Sequence, residues 1–266
     1  MKTALVTFGY RRPEIHKLTL AAINRCRNIE KVDRFCYLDG DGYELPELKD
    51  FRVIKRGNRF GLNKNILSGI KELFEKEKYD RVIVVEDDIY VSADFIDFIL
   101  AAYEYKNEHC FSVTGFHPSK SFAPYTKQEY KENEITIVDG YSPWGVMYDT
   151  ADYALIAPYI RDEYFENQMS FFTQFVLPMA PYFKHASPLQ DGTINTIRFA
   201  HQYRHVAPFF SRVQNIGYYG ENQLHAYKQD GLTVADMIMQ SDNATETFHE
   251  DYQWDELKLV KFVGEW

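Results

Sequence analysis

The run Glu86-Asp87-Asp88 follows the apolar stretch Arg81-Val82-Ile83-Val84-Val85, so three consecutive carboxylates stand where a parallel strand would end. That carboxyl edge is where α/β sheets hold ligands. Neighbouring carboxylates repel and resist burial, so a site that keeps three unpaired acids together gains most from a divalent cation, with phosphate oxygens completing its shell. A solvated turn or a helix N-cap is the plainer alternative. Other loops expected at the same edge add complementary groups. Asp39, in Asp39-Gly40-Asp41-Gly42, can accept a hydrogen bond from an imide N–H. Arg11 or Arg12 can face a base or a phosphate, and Asp87 can accept from ribose hydroxyls. Together they would hold a nucleotide.

Further groups have two readings each. Trp144, beside Gly145, can stack on a sugar ring or fill the core. His225 follows Tyr218-Tyr219-Gly220-Glu221-Asn222, a polar loop suited to closing over a diphosphate, where it would bind the metal or a phosphate oxygen or sit on the surface. His201 and His205 have the i, i+4 spacing of a metal pair on a helix, with no third ligand evident, against ordinary packing.

These residues need a scaffold, and the first half of the chain alternates strand-like and helix-like periods. Strands are expected at 3–8, 34–38, 51–55, 81–85 and 110–115, and helices at 13–27, 63–78 and 93–106, with Ser92 or Asp94 as a start signal for the last. Strands separated by helices of this length imply βαβ crossovers and a mainly parallel sheet. Strands at 134–138 and 144–148 are expected to form an antiparallel edge, and the prolines at 158, 178, 181 and 188 to cut 149–203 into short helices. No repeat or linker divides the chain. One domain is expected over 1–229, with a nucleotide-binding half at 1–117, a second half with a closing loop at 118–229, and a tail at 230–266.

Composition narrows the classes. Among 266 residues, 45% are hydrophobic, enough for a large core, and the net charge of −9 without a basic cluster argues against nucleic acid as a partner. Cys26, Cys36 and Cys110 are odd in number and lie in apolar segments, which suggests reduced core thiols. No run of 18 apolar residues occurs, and the opening Met1-Lys2-Thr3-Ala4-Leu5-Val6-Thr7 lacks a signal-peptide pattern. A cytoplasmic protein is expected, with peripheral association at the inner face of the membrane left open. No Gly-x-Gly-x-x-Gly follows the first strand and no Gly-x-x-x-x-Gly-Lys-Ser/Thr occurs, which argues against a dinucleotide oxidoreductase and a P-loop phosphohydrolase.

Taken together, Val6-Thr7-Phe8 with Arg12-Pro13-Glu14, Asp39-Gly40, Asn58-x-x-Gly61-Leu62-x-x-Asn65, Val84-Val85-Glu86-Asp87-Asp88-Ile89 and Ser92-x-Asp94-Phe95 resemble the nucleotide-sugar glycosyltransferases of the GT-A fold. Ser142-Pro143-Trp144-Gly145 and Asn215-Ile216-Gly217 leading to His225 extend the likeness, which is nearest to bacterial family-two-like enzymes and the N-acetylglucosaminyltransferase I group. The resemblance implies a Rossmann-like α/β sheet with a helical acceptor-side portion. It also implies a metal-dependent hexosyl- or N-acetylhexosaminyltransferase of polysaccharide biosynthesis, using Mn2+ or Mg2+ and a UDP-sugar donor. The acceptor would be a glycan or glycolipid hydroxyl; oligomeric state is open.

By the same resemblance Asp88 contacts the metal, Asp87 and Glu86 position the ribose and the metal's water shell, and Thr7, Phe8, Arg12 and Asp39 line the uridine pocket. Lys64 stands near the diphosphate or faces solvent. Asp191, before a helical segment and at the family's distance from Asn215-Ile216-Gly217, is the expected base, although Gly192, Thr193 and Ile194 depart from the Asp-x-Gln-Trp pattern. A separate base favours inversion. Its alternative role is helix capping, with Glu163, Glu166 and Asp149 as fallbacks. Two other functions stay in view: a sugar nucleotidyltransferase, which would want a glycine-rich basic loop after the first strand, and a non-catalytic glycan-binding protein of the same fold.

Overall fold

The first apolar run is buried on both faces. In β1 (Thr3–Gly9), Ala4, Val6 and Phe8 join one hydrophobic cluster and Leu5 the other. In β4 (Arg81–Glu86), Val82 and Val84 take the first side, Ile83 and Val85 the second. Strands covered on both faces lose polar alternation and read as continuous apolar segments. The computed structural model describes residues 1–117, 130–219, 231–240 and 248–260.

Helices α1 (Pro13–Asn24) and α3 (Phe95–Tyr103) cover one face of the sheet, packing Ile15, Leu20, Ile23, Ile96 and Phe98 into it. Helix α2 (Leu62–Glu75) covers the other with Ile66, Ile70 and Leu73, joined by α4 (Thr150–Ile156) and α7 (Gln190–Ala200) through Ile156, Ile194 and Ile197. Each such aliphatic side chain contributes about 1.5–3 kcal/mol by leaving water. Pro13 occupies the first turn of α1, where its missing N–H costs no hydrogen bond. Between α4 and α7 the chain is cut short, as the prolines imply, into α5 (Asp162–Glu166), α6 (Gln168–Phe171) and a π-helical turn at Phe172–Val176. A further short helix, α8, spans Val234–Gln240.

The remaining strands are β2 (Asp33–Leu38), β3 (Arg52–Lys55), β5 (Ile89–Val91), β6 (Cys110–Thr114), β7 (Glu134–Val138), β8 (Val146–Asp149), β9 (Arg204–Pro208), β10 (Val213–Asn215) and β11 (Lys258–Leu259). Nine of the described strands form one sheet in the order β11-β7-β9-β6-β8-β4-β1-β2-β3, a mixed α/β architecture. The four strands β4, β1, β2 and β3 run parallel to one another. The expected antiparallel edge is corrected: β8 lies inside the sheet between β4 and β6, while β7 pairs with β9 and β11. Val146, Met147 and Tyr148 of β8 are buried, and a short apolar strand does not announce its partners.

Strands β5 and β10 form a separate antiparallel ribbon, pairing Ile89 with Asn215 and Val91 with Val213. The chain's last described segment braces it. The Asp94 carboxylate, a candidate start signal for α3, makes no cap hydrogen bond. It accepts instead from Arg212 Nε at 3.1 Å and Trp254 Nε1 at 2.8 Å. Tyr252 lies over the Arg212 guanidinium and donates its hydroxyl to Ser211 O at 3.0 Å, and Ala93 N donates to Glu250 O at 2.8 Å. All three cysteines are buried and unpaired; burial pushes the Cys26 and Cys36 thiols up to about 12. Among the described residues no helix is long and apolar enough to cross a membrane.

Candidate active site

The carboxyl ends of β1, β2 and β4 lie side by side, with Phe8 opposite Glu86 and Gly9 opposite Leu38. The acidic triplet continues from β4, and the ribbon begins at once with Ile89, so Asp87 and Asp88 turn inward and are each 6% exposed. They are paired, contrary to the expectation of three unpaired acids. Arg12, at the N-cap of α1, donates through Nη2 to Asp87 Oδ1 at 2.5 Å and Asp88 Oδ2 at 3.0 Å, and through Nη1 to Tyr219 O at 3.2 Å. Burial works against the Arg12 charge, and the two aspartates more than offset it, so this guanidinium is held charged above its ordinary value.

One guanidinium does not balance three acids. Burial raises all three carboxyls; Asp88, Asp191 and Asp87 raise Glu86 further, while Arg12 opposes the shift at each. Among the described residues no group of three or more His, Cys, Asp and Glu side chains is gathered around a metal-sized point. The chemistry of the donor set nevertheless fits a hard cation: Asp87 and Asp88 are carboxylate oxygens in a buried surplus of negative charge, as Mg2+ and Mn2+ favour.

Local packing fixes Asp88. Its backbone O accepts from Ile216 N at 2.8 Å, and a Cβ on Gly217 would stand 2.2 Å from its Oδ2. The turn Asn215-Ile216-Gly217 is thus the wall against which this carboxylate rests. Behind Arg12, the buried His16 bonds Thr7 Oγ1 through Nε2 at 2.8 Å and the Tyr43 hydroxyl through Nδ1 at 2.6 Å. Burial, then the Arg12 charge, lowers His16 to about 3, so it is neutral. The histidine has no sequence signal beyond its place one turn after Arg12.

Thr7 is fully buried with its hydroxyl on His16, and Phe8 is a core residue stacked on Tyr37 at 5.7 Å. Asp39 accepts from the backbone N–H of Gly40, Phe60 and Gly61 at 3.1, 2.6 and 2.9 Å, so it holds the 58–61 loop beside the β2 end. Lys64 lies over Phe60 and Phe165 and lines a small cavity with Glu166, away from the triplet's own contacts. Trp144 packs edge-on against Phe116 at 4.8 Å. His225 lies outside the described residues.

Asp191 is half-buried in the first turn of α7. It does not cap the helix: Leu189 is the N-cap, and the Asp191 carboxylate accepts only from its neighbour Gly192 N at 2.8 Å among the hydrogen bonds of the described residues. Gln190 N donates to Asn63 Oδ1 at 3.0 Å, which ties the start of α7 to the start of α2. Gly192 is required because a Cβ there would lie 2.3 Å from Ser187 Cβ, which accounts for its place in the departed motif. Asp191 lines a cavity of about 1500 Å³ with Tyr141, Asn195 and Arg198, and its charge reaches Glu86 and the paired Tyr141 and Tyr148 hydroxyls. The acids at the sheet edge and the cavity carboxylate therefore share one electrostatic neighbourhood.

The fallback acids stand elsewhere. Asp149 forms a capping box for α4 and meets Lys106 Nζ at 2.6 Å; burial raises it, and these bonds bring it below its ordinary value. Glu163 and Glu166 are exposed on α5. The helical pairing of His201 with His205 is corrected: His201 ends α7, whereas His205 is buried in β9 with Nδ1 on Ser112 Oγ at 2.6 Å.

No family model matches the sequence, and no curated protein matches it. Solved structures do. S. aureus TarS residues 1–349 is 12% identical, with 94% of this chain and 67% of that one covered and a TM-score of 0.49. The mannosyltransferase PcManGT from Pyrobaculum calidifontis, in complex with GDP-Man and Mn2+, is 10% identical over 59% of this chain and 46% of that one, with a TM-score of 0.40. The glycosyltransferase GlyE of Streptococcus pneumoniae TIGR4 is 11% identical, covering 77% and 45%, with a TM-score of 0.41. The chain spans less than half the length of the last two. Likenesses of this depth carry neither residues nor chemistry across, and the reading rests on the site itself.

Proposed function

We propose that this chain is a metal-dependent glycosyltransferase that moves a sugar from a nucleotide-diphosphate donor, a UDP-sugar, to a hydroxyl of a glycan acceptor with inversion. The observation that carries it is the pairing of two acidic centres: the buried triplet at the sheet edge, and Asp191 on the wall of a large cavity, close enough that its charge raises Glu86. Inverting transfer needs this division, because one acid cannot both accept a proton and attend to the leaving group.

Asp191 takes the proton from the acceptor hydroxyl as that oxygen attacks the anomeric carbon from the face opposite the departing diphosphate. Asp87 and Glu86 accept from the ribose hydroxyls, and Arg12, fixed beside them, offers its remaining N–H groups to phosphate oxygens. A cation held by Asp88 and Asp87 would supply the charge that stabilises the leaving diphosphate. Kinship with the N-acetylglucosaminyltransferase I group, and the choice of hexosyl or N-acetylhexosaminyl transfer, rest on the sequence marks alone.

A second reading, a glycan-binding protein without turnover, draws on the Arg12 ion pairs, which already partner Asp87 and Asp88. Titration of purified protein with UDP-sugars, with and without Mn2+, tests both. Metal-dependent binding followed by donor consumption supports the transferase, and glycan binding with neither leaves the module.

A further inference from the structure

Helix α7 carries Asp191, Asn195 and Arg198 at spacings of four and three, which puts them on one face, and all three line the large cavity. A rise of about 1.5 Å per residue sets the ends of this row about 10 Å apart along the axis. Asp191 stands at the donor end. Arg198 stands at the far end, 4% exposed, and bonds only neutral oxygens: Nε and Nη2 meet Asn195 Oδ1 at 3.1 and 3.0 Å, and Nη1 meets Tyr203 O at 2.9 Å.

A guanidinium has five N–H donors, so these bonds leave capacity unused. No carboxylate of the described residues pairs with Arg198. Asp139, the acid whose charge it feels, is bound to Arg204 at 3.2 Å. Burial lowers Arg198 to about 10, with Asp139 and Tyr141 opposing. Buried charges are ordinarily paired. Elsewhere in the chain Arg212 meets Asp94 at 3.1 Å and Arg56 meets Glu72 at 2.8 Å. The cavity wall also offers ring faces to sugar C–H groups: Phe183 stacks on Phe199 at 4.4 Å, and Tyr182 is 93% exposed.

We propose that this cavity takes a glycan acceptor bearing an anionic group, a uronate carboxylate or a phosphate ester, and that Arg198 is the residue that receives the anion. The inference deepens the transferase reading and rests on it for the word acceptor. Arg198 selects the substrate and holds it in register; Asp191 meets the hydroxyl.

The test titrates wild type, Arg198→Gln, Arg198→Lys and Asn195→Asp with three matched disaccharides: neutral, 6-carboxylate and 6-phosphate. Affinity is read by calorimetry, and protection by UDP plus Mn2+ is measured in parallel. At least one acidic ligand is expected to bind the wild type about tenfold or more tightly than the neutral one, as a hydrogen bond to a charged group allows. Which of the two does so identifies the anion. Arg198→Gln loses that preference and Arg198→Lys keeps part of it. Asn195→Asp loses it too, because a carboxylate then neutralises Arg198 in place with the side-chain shape unchanged, which keeps the test alive if the Gln variant does not fold. Equal affinities in the wild type, no binding of any disaccharide, or a preference that survives both Arg198→Gln and Asn195→Asp overturns the proposal. Anion preference without nucleotide protection sinks the donor reading and leaves this site standing; nucleotide protection without anion preference does the reverse.

Discussion

Gly217 lies so close to Asp88 that a Cβ on the glycine would stand 2.2 Å from the Asp88 Oδ2. The carboxylate is held by contact on that side and by the Arg12 guanidinium on another. Gly217→Ala is expected to push the carboxylate aside, to lower stability by about 1–3 kcal/mol through overpacking, and to abolish Mn2+-dependent protection by UDP. Denaturant unfolding and thermal shift measure the two effects. Undiminished protection would separate Asp88 from the cation.

Asp191→Asn keeps the shape of the side chain and removes its basicity. Turnover is expected to fall by about 10²–10⁴-fold, the range of general-base contributions, with protection by UDP plus Mn2+ retained because Arg12, Asp87 and Asp88 are untouched. Retention of most activity would hand the proton to another group.

Arg12→Gln leaves Asp87 and Asp88 buried without their cationic partner. Removing one member of a buried ion pair costs about 3–5 kcal/mol, and the Arg12 side chain is 19% exposed, so most of that cost applies. Millimolar Mn2+ is expected to recover part of the loss by replacing the missing charge. Melting curves with and without the ion provide the check, and a loss that Mn2+ does not touch would argue that the acids cannot grip a cation.

His16 predicts acid lability. Its folded-state value, about 3, lies below the ordinary imidazole value of about 6.5, so the unfolded chain binds the proton first. Stability is therefore fully present above about pH 6.5 and declines as pH falls toward 3, by about 1.4 kcal/mol per pH unit from this group. His16→Gln should flatten the unfolding free energy against pH across that window, and an unchanged slope would show that other groups set it.

The sheet edge was legible because its evidence is local. Strands β1 and β4 are continuous apolar runs, α1 opens on Pro13, and the acids follow β4 without a gap. What was hidden depends on partners far along the chain. The ribbon strands Ile89–Val91 and Val213–Asn215 have three residues each, too few for a period to show, and exist through pairing with each other. His205 sits four residues after His201, yet α7 stops at Ala200, so the i, i+4 spacing does not put the two rings on one helical face and the packing alternative holds for the buried His205. Arg12 appeared as a base- or phosphate-facing residue. Its contact with Asp87 joins positions 75 residues apart, which no local pattern encodes. Asn63, which anchors the turn carrying Asp191, was invisible for the same reason.

Asp94 and Trp254 touch across 160 positions of sequence. The acids at 86–88 therefore leave the ribosome long before the residues that brace the ribbon leading out of them, and Asp94 gains its indole partner only late in synthesis.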